Sequence, residues 1–328
     1  MSCRLPVVPG ADTGSRPSVL VIDDHRGVLE RVVTVLAHEF DIAGVATDSR
    51  RAVSMADVLA PDVIVLDINM PGLDGYQTKS ALDDAGSRAP VVFLSMFDAE
   101  EYVSEAFRRG GRGYVLKPFV GRDLTSALHH VLHGRLFVPS LVSLLQLANG
   151  GGHAVQLYGD PVSFLDGLAG FFDLALRRGD ATYVIATQDI RDGLSDRLRA
   201  RGWETGSTSR NRCQFVDGAA ALDRFMRNGL PDHSCLAEIV SELDQYRLAE
   251  SEADTSRLTL FGNMGALLLS AGNTTAMVAL ESLWHSMTHQ RPFFTLCGYS
   301  ITSQLNEVPE LWSETCAAHW AVSHASGI

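Results

Sequence analysis

The chain has 328 residues, of which 46% are hydrophobic, and its formal net charge is −12. This length exceeds one compact domain, so we expect about two domains, each large enough to bury its own core. Basic residues number 13 against 18 acidic residues up to residue 134, and 14 against 21 after it. Neither part has the basic excess that an output domain would need to bind DNA or an anionic membrane through phosphates.

Short β-branched apolar runs alternate with helical patterns through the first part of the chain. The predicted strands are residues 18–22, 42–45, 63–66, 91–94 and 113–116. The predicted helices are residues 28–38, 51–59, 75–82, 98–108 and 122–132. Continuously apolar strands are typical of sheets covered on both faces. The β-α unit repeated five times predicts a doubly wound parallel sheet with right-handed crossovers.

Polar side chains follow four of these strands. They are Asp23 with Asp24, then Asp67, Ser95 and Lys117. Because the carboxyl ends of parallel strands meet at one edge of a sheet, we expect these groups to form a site for phosphoryl chemistry on an aspartate. The carboxylates suffice to hold Mg²⁺, a hard cation that would offset the charge of an incoming phosphoryl group.

The remaining polar groups fit the same chemistry. Asn69, two residues past Asp67, can offer a backbone carbonyl to the cation. The Ser95 hydroxyl and the Lys117 ammonium can each bind a phosphoryl or carboxylate oxygen, and Pro118 sets the turn that directs the lysine. The chain contains only two lysines, Lys79 and Lys117, against 25 arginines, which indicates that a compact, flexible cation is needed at Lys117.

Residues 18–133 resemble the receiver domain of two-component response regulators. The resemblance rests on Asp23-Asp24, the run Asp67-Ile-Asn-Met-Pro-Gly-Leu-Asp-Gly75, Leu94-Ser95 and Gly113-Tyr-Val-Leu-Lys-Pro118, all in order. It implies that Asp67 accepts a phosphoryl group from a histidine kinase. It also implies that Asp24, Asp67 and the Asn69 carbonyl bind Mg²⁺ directly, and that Asp23 does so through water.

The same resemblance implies a conformational switch. Ser95 matches the switch hydroxyl, Lys117 the family's lysine, and Tyr114 the aromatic residue whose rotamer follows the hydroxyl. The Lys117-Pro118 peptide is usually cis in this family. Asn69 and Phe97 match the positions that flank the path of the water that hydrolyses the aspartyl phosphate, and the bulk of Phe97 predicts slow hydrolysis.

The chain divides into four parts. Residues 1–16 are predicted to be a flexible tail, residues 17–134 the receiver, residues 135–152 a linker with a glycine-rich break at 149–152, and residues 153–328 a second domain. The apolar runs are too short for a signal peptide or a spanning helix. Five scattered cysteines fit reduced thiols, so we expect a cytoplasmic protein.

The second domain also alternates between strands and helices. The predicted strands are residues 154–158, 181–187, 213–216, 258–261 and 293–299, and the predicted helices are 162–178, 191–201, 219–227, 235–247 and 263–289, the last broken at 272–273. This pattern predicts a second α/β layer structure. Residues 135–328 contain no lysine, and Asp160-Pro161 stands where a phosphate-binding loop would be, so ATP hydrolysis is disfavoured.

Residues 153–306 resemble the MEDS domain, a sensory module named from methanogens and methylotrophs. The motifs are His153-Ala-Val-Gln-Leu-Tyr-Gly-Asp160, Val184-Ile-Ala-Thr187, Phe261-Gly-Asn-Met-Gly-Ala-Leu-Leu269, Glu281-Ser-Leu-Trp284 and Pro292-Phe-Phe-Thr-Leu-Cys-Gly-Tyr299. The resemblance implies a RecA/KaiC-like fold that lacks the P-loop, in a protein of signal transduction. It does not identify a ligand.

Some polar and aromatic residues are candidates for a pocket in this domain: His153, Tyr158, Glu281, Trp284 and Tyr299. Burial in the core is the alternative for Trp284. His285 and His289 have the i, i+4 spacing of metal ligands, but the Glu of a His-Glu-x-x-His site is missing, so paired surface or groove histidines are favoured over zinc.

Two functions of different class follow. In the first, Asp67 phosphorylation changes what a non-DNA-binding C-terminal domain binds. The expected partners are a histidine kinase or phosphotransfer protein and an unknown ligand or protein at the C-terminal domain, without nucleic acid or membrane insertion; a homodimer is compatible with this. In the second, the receiver regulates a hydrolase-like domain that uses His153 or Glu281.

Overall fold

The computed structural model describes residues 16–148, 151–205, 213–251, 257–300 and 319–324. The chain divides between Pro139 and Ser140 into two compact units. Residues 1–15 of the predicted tail lie outside the described residues, as do Asn149 and Gly150 of the glycine-rich break.

The first unit is a parallel sheet with helices between its strands. Its strands are β1 (Ser18–Ile22), β2 (Asp41–Ala46), β3 (Val63–Asp67), β4 (Val91–Ser95), β5 (Gly113–Leu116) and β6 (Leu136–Val138). Its helices are α1 (Arg26–Leu36), α2 (Ser49–Leu59), α3 (Gly75–Asp84), α4 (Glu100–Arg108) and α5 (Val120–Leu132). The strands lie in the order β2-β1-β3-β4-β5-β6 and pair in parallel. The predicted doubly wound α/β fold is confirmed.

Both faces of this sheet are covered, which explains the continuous apolar runs. Val19 and Val21 of β1 point into one core, where they pack with residues of α1 and α5. Leu20 and Ile22 point into the opposite core, which includes residues of α2 and α4. Successive strand residues alternate between faces, so a strand covered on both sides has no position for an exposed polar side chain. The polar groups are therefore confined to the strand ends.

The loop that follows β3 is held closely against the start of α3. Asp74 caps α3 by accepting a hydrogen bond from the Gln77 N–H, and the Gln77 side chain accepts one from the Asp74 N–H, which forms a capping box. The Gly75 N–H donates to the Ile68 carbonyl over 2.8 Å. These bonds fix the path of the chain directly after Asp67.

The segment predicted as a linker, residues 135–152, contains regular structure. Strand β6 pairs with β5 through Phe137 and Gly113. Helix α6 (Leu141–Leu147), which belongs to the second unit, begins after Ser140, whose side chain accepts a hydrogen bond from the Ser143 N–H.

The second unit is also built on a parallel sheet. Its strands are β7 (Gly152–Tyr158), β8 (Ala181–Ala186), β9 (Cys213–Asp217), β10 (Met226–Arg227), β11 (Leu230–Pro231), β12 (Leu258–Gly262), β13 (Phe293–Ser300) and β14 (Ala321–His324). Its further helices are α7 (Pro161–Arg177), α8 (Gln188–Ala200), α9 (Gly218–Phe225), α10 (His233–Glu250), α11 (Met264–Ser270) and α12 (Thr274–Thr288). The sheet order is β14-β7-β13-β12-β8-β9, while β10 and β11 form a separate antiparallel hairpin.

The predicted elements of the second unit are present, and the long helical run is divided as predicted. Helix α11 ends before Gly272, and Asn273 caps α12 by accepting a hydrogen bond from the Ala276 N–H. The alternation of apolar and polar residues in the sequence did not predict β14 or the short β10–β11 hairpin. Through the part of the chain that the structure describes, none of the helices combines the length and apolar character needed to cross a membrane.

Gly75 offers a test of the close packing after β3. A Cβ atom at Gly75 would clash with the Asp67 carbonyl oxygen and would lie 2.7 Å from the Ile68 Cα. We expect Gly75→Ala to lower the free energy of unfolding by about 1–3 kcal/mol, because the neighbouring backbone must move. Gly27→Ala is the control, since a Cβ there would meet nothing within 4 Å. Urea denaturation measures both, and an unchanged Gly75→Ala protein would contradict the argument.

Candidate functional site

The predicted acidic residues meet at the carboxyl ends of β1 and β3. Asp23 and Asp67 are buried, and Asp24 is partly exposed. One carboxylate oxygen from each of the three lies within 4.8 Å of the others and of a His25 ring nitrogen. The sheet order places β1 between β2 and β3, so the site lies where consecutive connections leave to opposite sides of the sheet.

Lys117 bridges the two buried carboxylates. Its Nζ lies 2.8 Å from Asp23 Oδ2 and 2.9 Å from Asp67 Oδ2. Burial raises the pKa of Asp23 and the Asp67 charge adds to this, while the hydrogen bond from Lys117 opposes it. Burial also disfavours the Lys117 ammonium, but its bonds to Asp23 and Asp67 outweigh burial and raise the pKa of Lys117. The lysine therefore stays charged and offsets the repulsion between the carboxylates.

Backbone N–H groups orient the carboxylates. The His25 N–H donates to Asp23 Oδ1 over 2.8 Å, and the Asn69 N–H donates to Asp67 Oδ1 over 3.2 Å. The His25 ring Nδ1 lies 3.0 Å from Asp24 Oδ1. Sequence reasoning did not include His25, although its position directly after the two aspartates was a signal for it. Asn69, whose backbone carbonyl is predicted to bind the cation, thus also contacts the Asp67 carboxylate through its N–H.

The turn after β5 directs the lysine into the site. Lys117 and Pro118 lie in a 3₁₀ turn, residues 117–119, that leads into α5. The described residues contain no cis peptide bond, so the Lys117-Pro118 peptide is trans, unlike the cis form expected from the resemblance.

Ser95 and Tyr114 both bind the backbone of Phe97. The Phe97 N–H donates to Ser95 Oγ over 3.0 Å, and the Tyr114 hydroxyl donates to the Phe97 carbonyl over 2.6 Å. Tyr114 is fully buried, and burial raises its pKa to about 12. The Phe97 ring itself is exposed and stacks on Tyr102 with ring centroids 4.9 Å apart. Ser95 and Tyr114, the two predicted switch residues, therefore both form hydrogen bonds to the loop between β4 and α4.

The second unit brings three of its five candidate residues together. Glu281 Oε2 lies 3.2 Å from His153 Nε2, and Glu281 Oε1 accepts a hydrogen bond from the Tyr299 hydroxyl. All three side chains are buried. Burial alone would raise the pKa of Glu281, but the hydrogen bond from His153, the nearby His319 and the Tyr299 hydroxyl together lower it.

Two further side chains complete this cluster, and sequence reasoning missed both. Cys297 Sγ lies 3.2 Å from His153 Nε2, and His319 Nε2 lies 3.6 Å from Glu281 Oε2. Burial, followed by the Glu281 charge, raises the pKa of the Cys297 thiol. Cys297 could have been found, because it is two residues before Tyr299 on a strand and therefore points to the same face.

The other two pocket candidates lie elsewhere. Trp284 donates a hydrogen bond from Nε1 to Thr295 Oγ1 over 3.0 Å and lines a separate cavity of about 170 Å³ bounded by β8, β9, α9 and α10. Tyr158 stacks on Phe164 with ring centroids 3.9 Å apart. His285 and His289 are exposed, and their rings stack at 5.6 Å.

The loop between β7 and α7 is filled by a carboxylate of the chain itself. Asp160 Oδ2 accepts hydrogen bonds from the Ser163 N–H over 2.8 Å and from the Ser163 hydroxyl over 2.6 Å, and Asp160 Oδ1 accepts one from the Val162 N–H over 3.4 Å. The Ser163 hydrogen bonds lower the pKa of Asp160. A phosphate bound at a helix start needs these same N–H groups. The helix start of α7 is therefore already occupied by an anionic group.

Comparison with known proteins identifies both units. Residues 19–129 match the model of the response regulator receiver domain, and residues 152–308 match the model described as MEDS, the methanogen/methylotroph DcmR sensory domain. The cluster of acidic residues and the doubly wound sheet thus belong to a receiver domain. The chain therefore contains a response regulator receiver domain followed by a MEDS domain.

Individual relatives match the receiver part. The nitrate/nitrite response regulator NarL of Escherichia coli K12 is 34% identical over 122 residues, which cover 36% of this chain and 56% of NarL. The transcriptional regulatory protein DegU of Brevibacillus brevis is 33% identical over 122 residues, which cover 37% of this chain and 52% of DegU. The chain thus spans about half the length of these relatives.

Two solved structures match the same region. The receiver domain of the Francisella response regulator 1452 is 31% identical and has a TM-score of 0.33; the match covers 36% of this chain and 97% of that one. The isolated receiver domain of RcsB from Salmonella enterica serovar Typhimurium, studied with the phosphomimetic BeF₃⁻, is 25% identical and has a TM-score of 0.37; the match covers 40% of this chain and 99% of that one.

Asp23→Asn tests the electrostatics of the buried carboxylates. Burial raises the pKa of Asp23 in the folded state, so folding binds a proton there and stability falls as pH rises through the ordinary value of 3.8 and the raised value above it. We expect the variant to unfold at higher urea concentration than the parent at pH 7, with the difference shrinking towards pH 4. The exposed Asp41→Asn controls for net charge. A lower midpoint for Asp23→Asn at pH 7 would contradict this account.

Proposed function

We propose that this response regulator works in a phosphorelay in which Asp67 accepts a phosphoryl group from a histidine kinase or a phosphotransfer protein. The observation that carries the proposal is the environment of Asp67. Its carboxylate lies at the carboxyl end of β3, beside Asp23 and Asp24 and 2.9 Å from the Lys117 ammonium. A carboxylate held this way can act as a nucleophile towards phosphorus, because nearby positive charge offsets repulsion from the phosphoryl oxygens.

The donor set at this site fits Mg²⁺. The side chains of Asp23, Asp24 and Asp67 converge within 4.8 Å, and all three offer the hard oxygen ligands that this ion prefers. We infer that these three carboxylates and the Asn69 backbone carbonyl hold the ion. When bound, Mg²⁺ neutralises charge on the transferring phosphoryl group.

The chain's own residues perform the transfer. An Asp67 carboxylate oxygen attacks phosphorus, a P–O bond forms, and the P–N bond to the donor histidine breaks, so the histidine leaves with the electron pair. The Lys117 ammonium contacts Asp23 and Asp67 in the resting site. After transfer it can bind an oxygen of the new phosphoryl group on Asp67.

The switch uses the bonds that Ser95 and Tyr114 make to Phe97. The Ser95 hydroxyl, whose oxygen accepts from the Phe97 N–H, can donate its own proton to a phosphoryl oxygen on Asp67, and its movement towards that oxygen displaces the Phe97 backbone bonded to it. The loop between β4 and α4 then rearranges, and the Tyr114 hydroxyl, now bonded to the Phe97 carbonyl, responds to the new loop path. Phosphorylation thereby changes the surface formed by this loop, α4 and β5.

We infer that the C-terminal domain senses or binds a ligand or protein and does not bind DNA. Support comes from the excess of acidic over basic residues after residue 134, 21 against 14. We also infer a RecA/KaiC-like fold without a P-loop, because a parallel sheet with intervening helices is combined with an Asp160 carboxylate on the amides of α7. A cytoplasmic location belongs to the same proposal, and a homodimer is compatible with it.

A receiver-regulated hydrolase is the second candidate. The 3.2 Å approach of Cys297 Sγ to His153 Nε2 places a nucleophile beside a base. Glu281 Oε2 approaches the same Nε2 and not the opposite ring nitrogen, Nδ1, where an orienting group would bind. Burial of the cluster and the raised pKa of Cys297 count against it. Incubation with candidate metabolites separates the two: turnover supports the enzyme, and saturable binding without turnover supports the switch.

The phosphoacceptor assignment predicts a single phosphorylation site. With Mg²⁺ and acetyl phosphate, we expect the parent to gain one phosphoryl mass and Asp67→Ala to gain none. Asp57→Ala, which removes an exposed carboxylate on α2, should behave as the parent does. Intact-mass spectrometry measures this, and omission of Mg²⁺ should abolish the gain. Phosphorylation of Asp67→Ala to the parental level would refute the assignment.

Phe97 is expected to set the lifetime of the aspartyl phosphate. Phe97 belongs to the loop that Ser95 and Tyr114 bind, and its ring is exposed. There it can hinder the water that would hydrolyse the aspartyl phosphate. We predict that Phe97→Glu hydrolyses severalfold faster, on the order of tenfold for 1.4 kcal/mol of lost barrier, while the bulky Phe97→Leu stays close to the parent. Loss of phosphorylated protein is followed after donor removal. Equal half-lives for Phe97→Glu and the parent would exclude this role.

A further inference from the structure

Four side chains from separate parts of the second unit converge at one point. They are His153 on β7, Glu281 on α12, Cys297 on β13 and His319, two residues before β14. One ligating atom from each lies within 4.8 Å of all the others. His153, Glu281 and His319 are at most 3% exposed. The group combines two imidazoles, a carboxylate and a thiol, and the proposed phosphorelay uses none of them.

The separations between these atoms suit a tetrahedral metal ion. His153 Nε2 lies 3.2 Å from Glu281 Oε2 and 3.2 Å from Cys297 Sγ. Glu281 Oε2 lies 3.6 Å from Cys297 Sγ and 3.6 Å from His319 Nε2. Ligands of tetrahedral zinc lie about 2.0–2.3 Å from the ion, which places neighbouring ligand atoms roughly 3.3–3.8 Å apart. Four of the six edges of such a tetrahedron are thus represented, and these four distances lie within about 0.1 Å of this range as a whole.

The donor chemistry of the set also fits a divalent cation. The half-buried Cys297 thiol lies beside the buried Glu281 carboxylate and donates a hydrogen bond to it over 3.6 Å, so a thiolate at this position would be repelled by the carboxylate charge. A divalent ion would compensate the carboxylate and bind the thiol as thiolate, while neutral imidazoles fill the remaining positions. Nitrogen and sulfur ligands favour zinc and related transition ions over Mg²⁺, which prefers oxygen.

The fold holds the ligands in place before any ion binds. His153 pairs with Thr295 in the parallel register, and Cys297 is two residues further along the same strand, so both point to one face. Helix α12 covers this face, and Tyr299 holds the second Glu281 oxygen. Gly265 on α11 makes room for this pair, since a Cβ there would clash with the Tyr299 hydroxyl and lie 3.0 Å from Glu281 Oε1. A bond of this kind orients a metal-binding carboxylate.

We propose that His153, Glu281, Cys297 and His319 form a closed four-ligand site for a divalent transition-metal ion of the zinc class. Four protein ligands leave no open position, as in sites that stabilise a fold. The ion would join β7, β13, α12 and the segment before β14. The site is independent of Asp67, so its test does not depend on the phosphorelay.

The absorption spectrum of bound Co²⁺ shows the coordination geometry of the ion and whether a thiolate is among its ligands. The full-length protein is treated with a chelator, dialysed into excess Mg²⁺ to saturate the carboxylates near Asp67, and titrated with Co²⁺. We expect one equivalent of Co²⁺ to produce the strong visible bands of a tetrahedral ion and the near-ultraviolet thiolate charge-transfer band, and Zn²⁺ to abolish both. Cys297→Ser should lose the charge-transfer band, while Cys235→Ser, at a half-buried thiol on α10, should keep it.

Two more variants refine the assignment. His285→Gln/His289→Gln removes the exposed i, i+4 histidine pair near the cluster and should leave the cobalt spectrum unchanged. Tyr299→Phe keeps every ligand but removes the hydrogen bond to Glu281, so it should weaken Zn²⁺ binding about 10–100-fold with little change in the spectrum. Asp67→Ala should bind Co²⁺ as the parent does.

The outcomes separate the alternatives. Loss of the cobalt signal in the His285/His289 double variant would mean adventitious binding by surface histidines and would overturn the proposal. A parent protein that shows no thiolate charge-transfer band with saturating Co²⁺ would also overturn it, whether or not any variant folds. In that case the four residues form a hydrogen-bonded network. Retention of the band in Cys297→Ser would exclude Cys297 as a ligand and would likewise reject the four-ligand site.

Discussion

The receiver depends on one electrostatic constraint, the burial of two carboxylates that face each other. Asp23 and Asp67 are almost fully buried at neighbouring strand ends, and their mutual repulsion would be costly without a cation. Lys117 supplies this cation at 2.8–2.9 Å from both. Because the ammonium lies on a flexible stem, it could remain close to negative charge if Asp67 accepts a phosphoryl group as proposed. The same interaction therefore stabilises the resting site and is available to stabilise the product.

The receiver site was predictable because its residues follow a regular geometric rule. Asp23, Asp67, Ser95 and Lys117 all come at the ends of apolar runs, and a parallel sheet brings such ends together whatever the intervening loops do. The sequence could not show how Ser95 and Tyr114 converge on the backbone of Phe97, because backbone hydrogen bonds leave no signal in residue types. The trans form of the Lys117-Pro118 peptide was equally beyond reach.

The cluster in the second unit follows a different rule, which explains why only part of it was predicted. His153 and Cys297 are inside strands, Glu281 is inside a helix, and His319 is outside both. Their meeting depends on the register of β7 with β13 and on the face of the sheet that α12 covers. Register and helix placement arise from tertiary packing of the whole unit, so residue spacing along the chain gives no direct measure of them. His319 is 38 residues from Glu281 and 166 from His153, and no local pattern connects these positions.

The two units use the same kind of sheet for different chemistry, and Asp160 shows where they diverge. In the receiver, the strand ends carry carboxylates and a lysine, and the edge of the sheet remains available to a cation and a phosphoryl group. In the second unit, the corresponding edge after β7 is closed, because the Asp160 carboxylate already binds the N–H groups of Val162 and Ser163. An added anion there would face a negative charge instead of free amides. Polar groups capable of chemistry lie on the buried face between the sheet and α12, where nitrogen and sulfur donors accompany a single carboxylate. Hard oxygen donors at one site and mixed donors at the other would give the two proposed metal sites different ion preferences, so the two sites would not compete for the same metal.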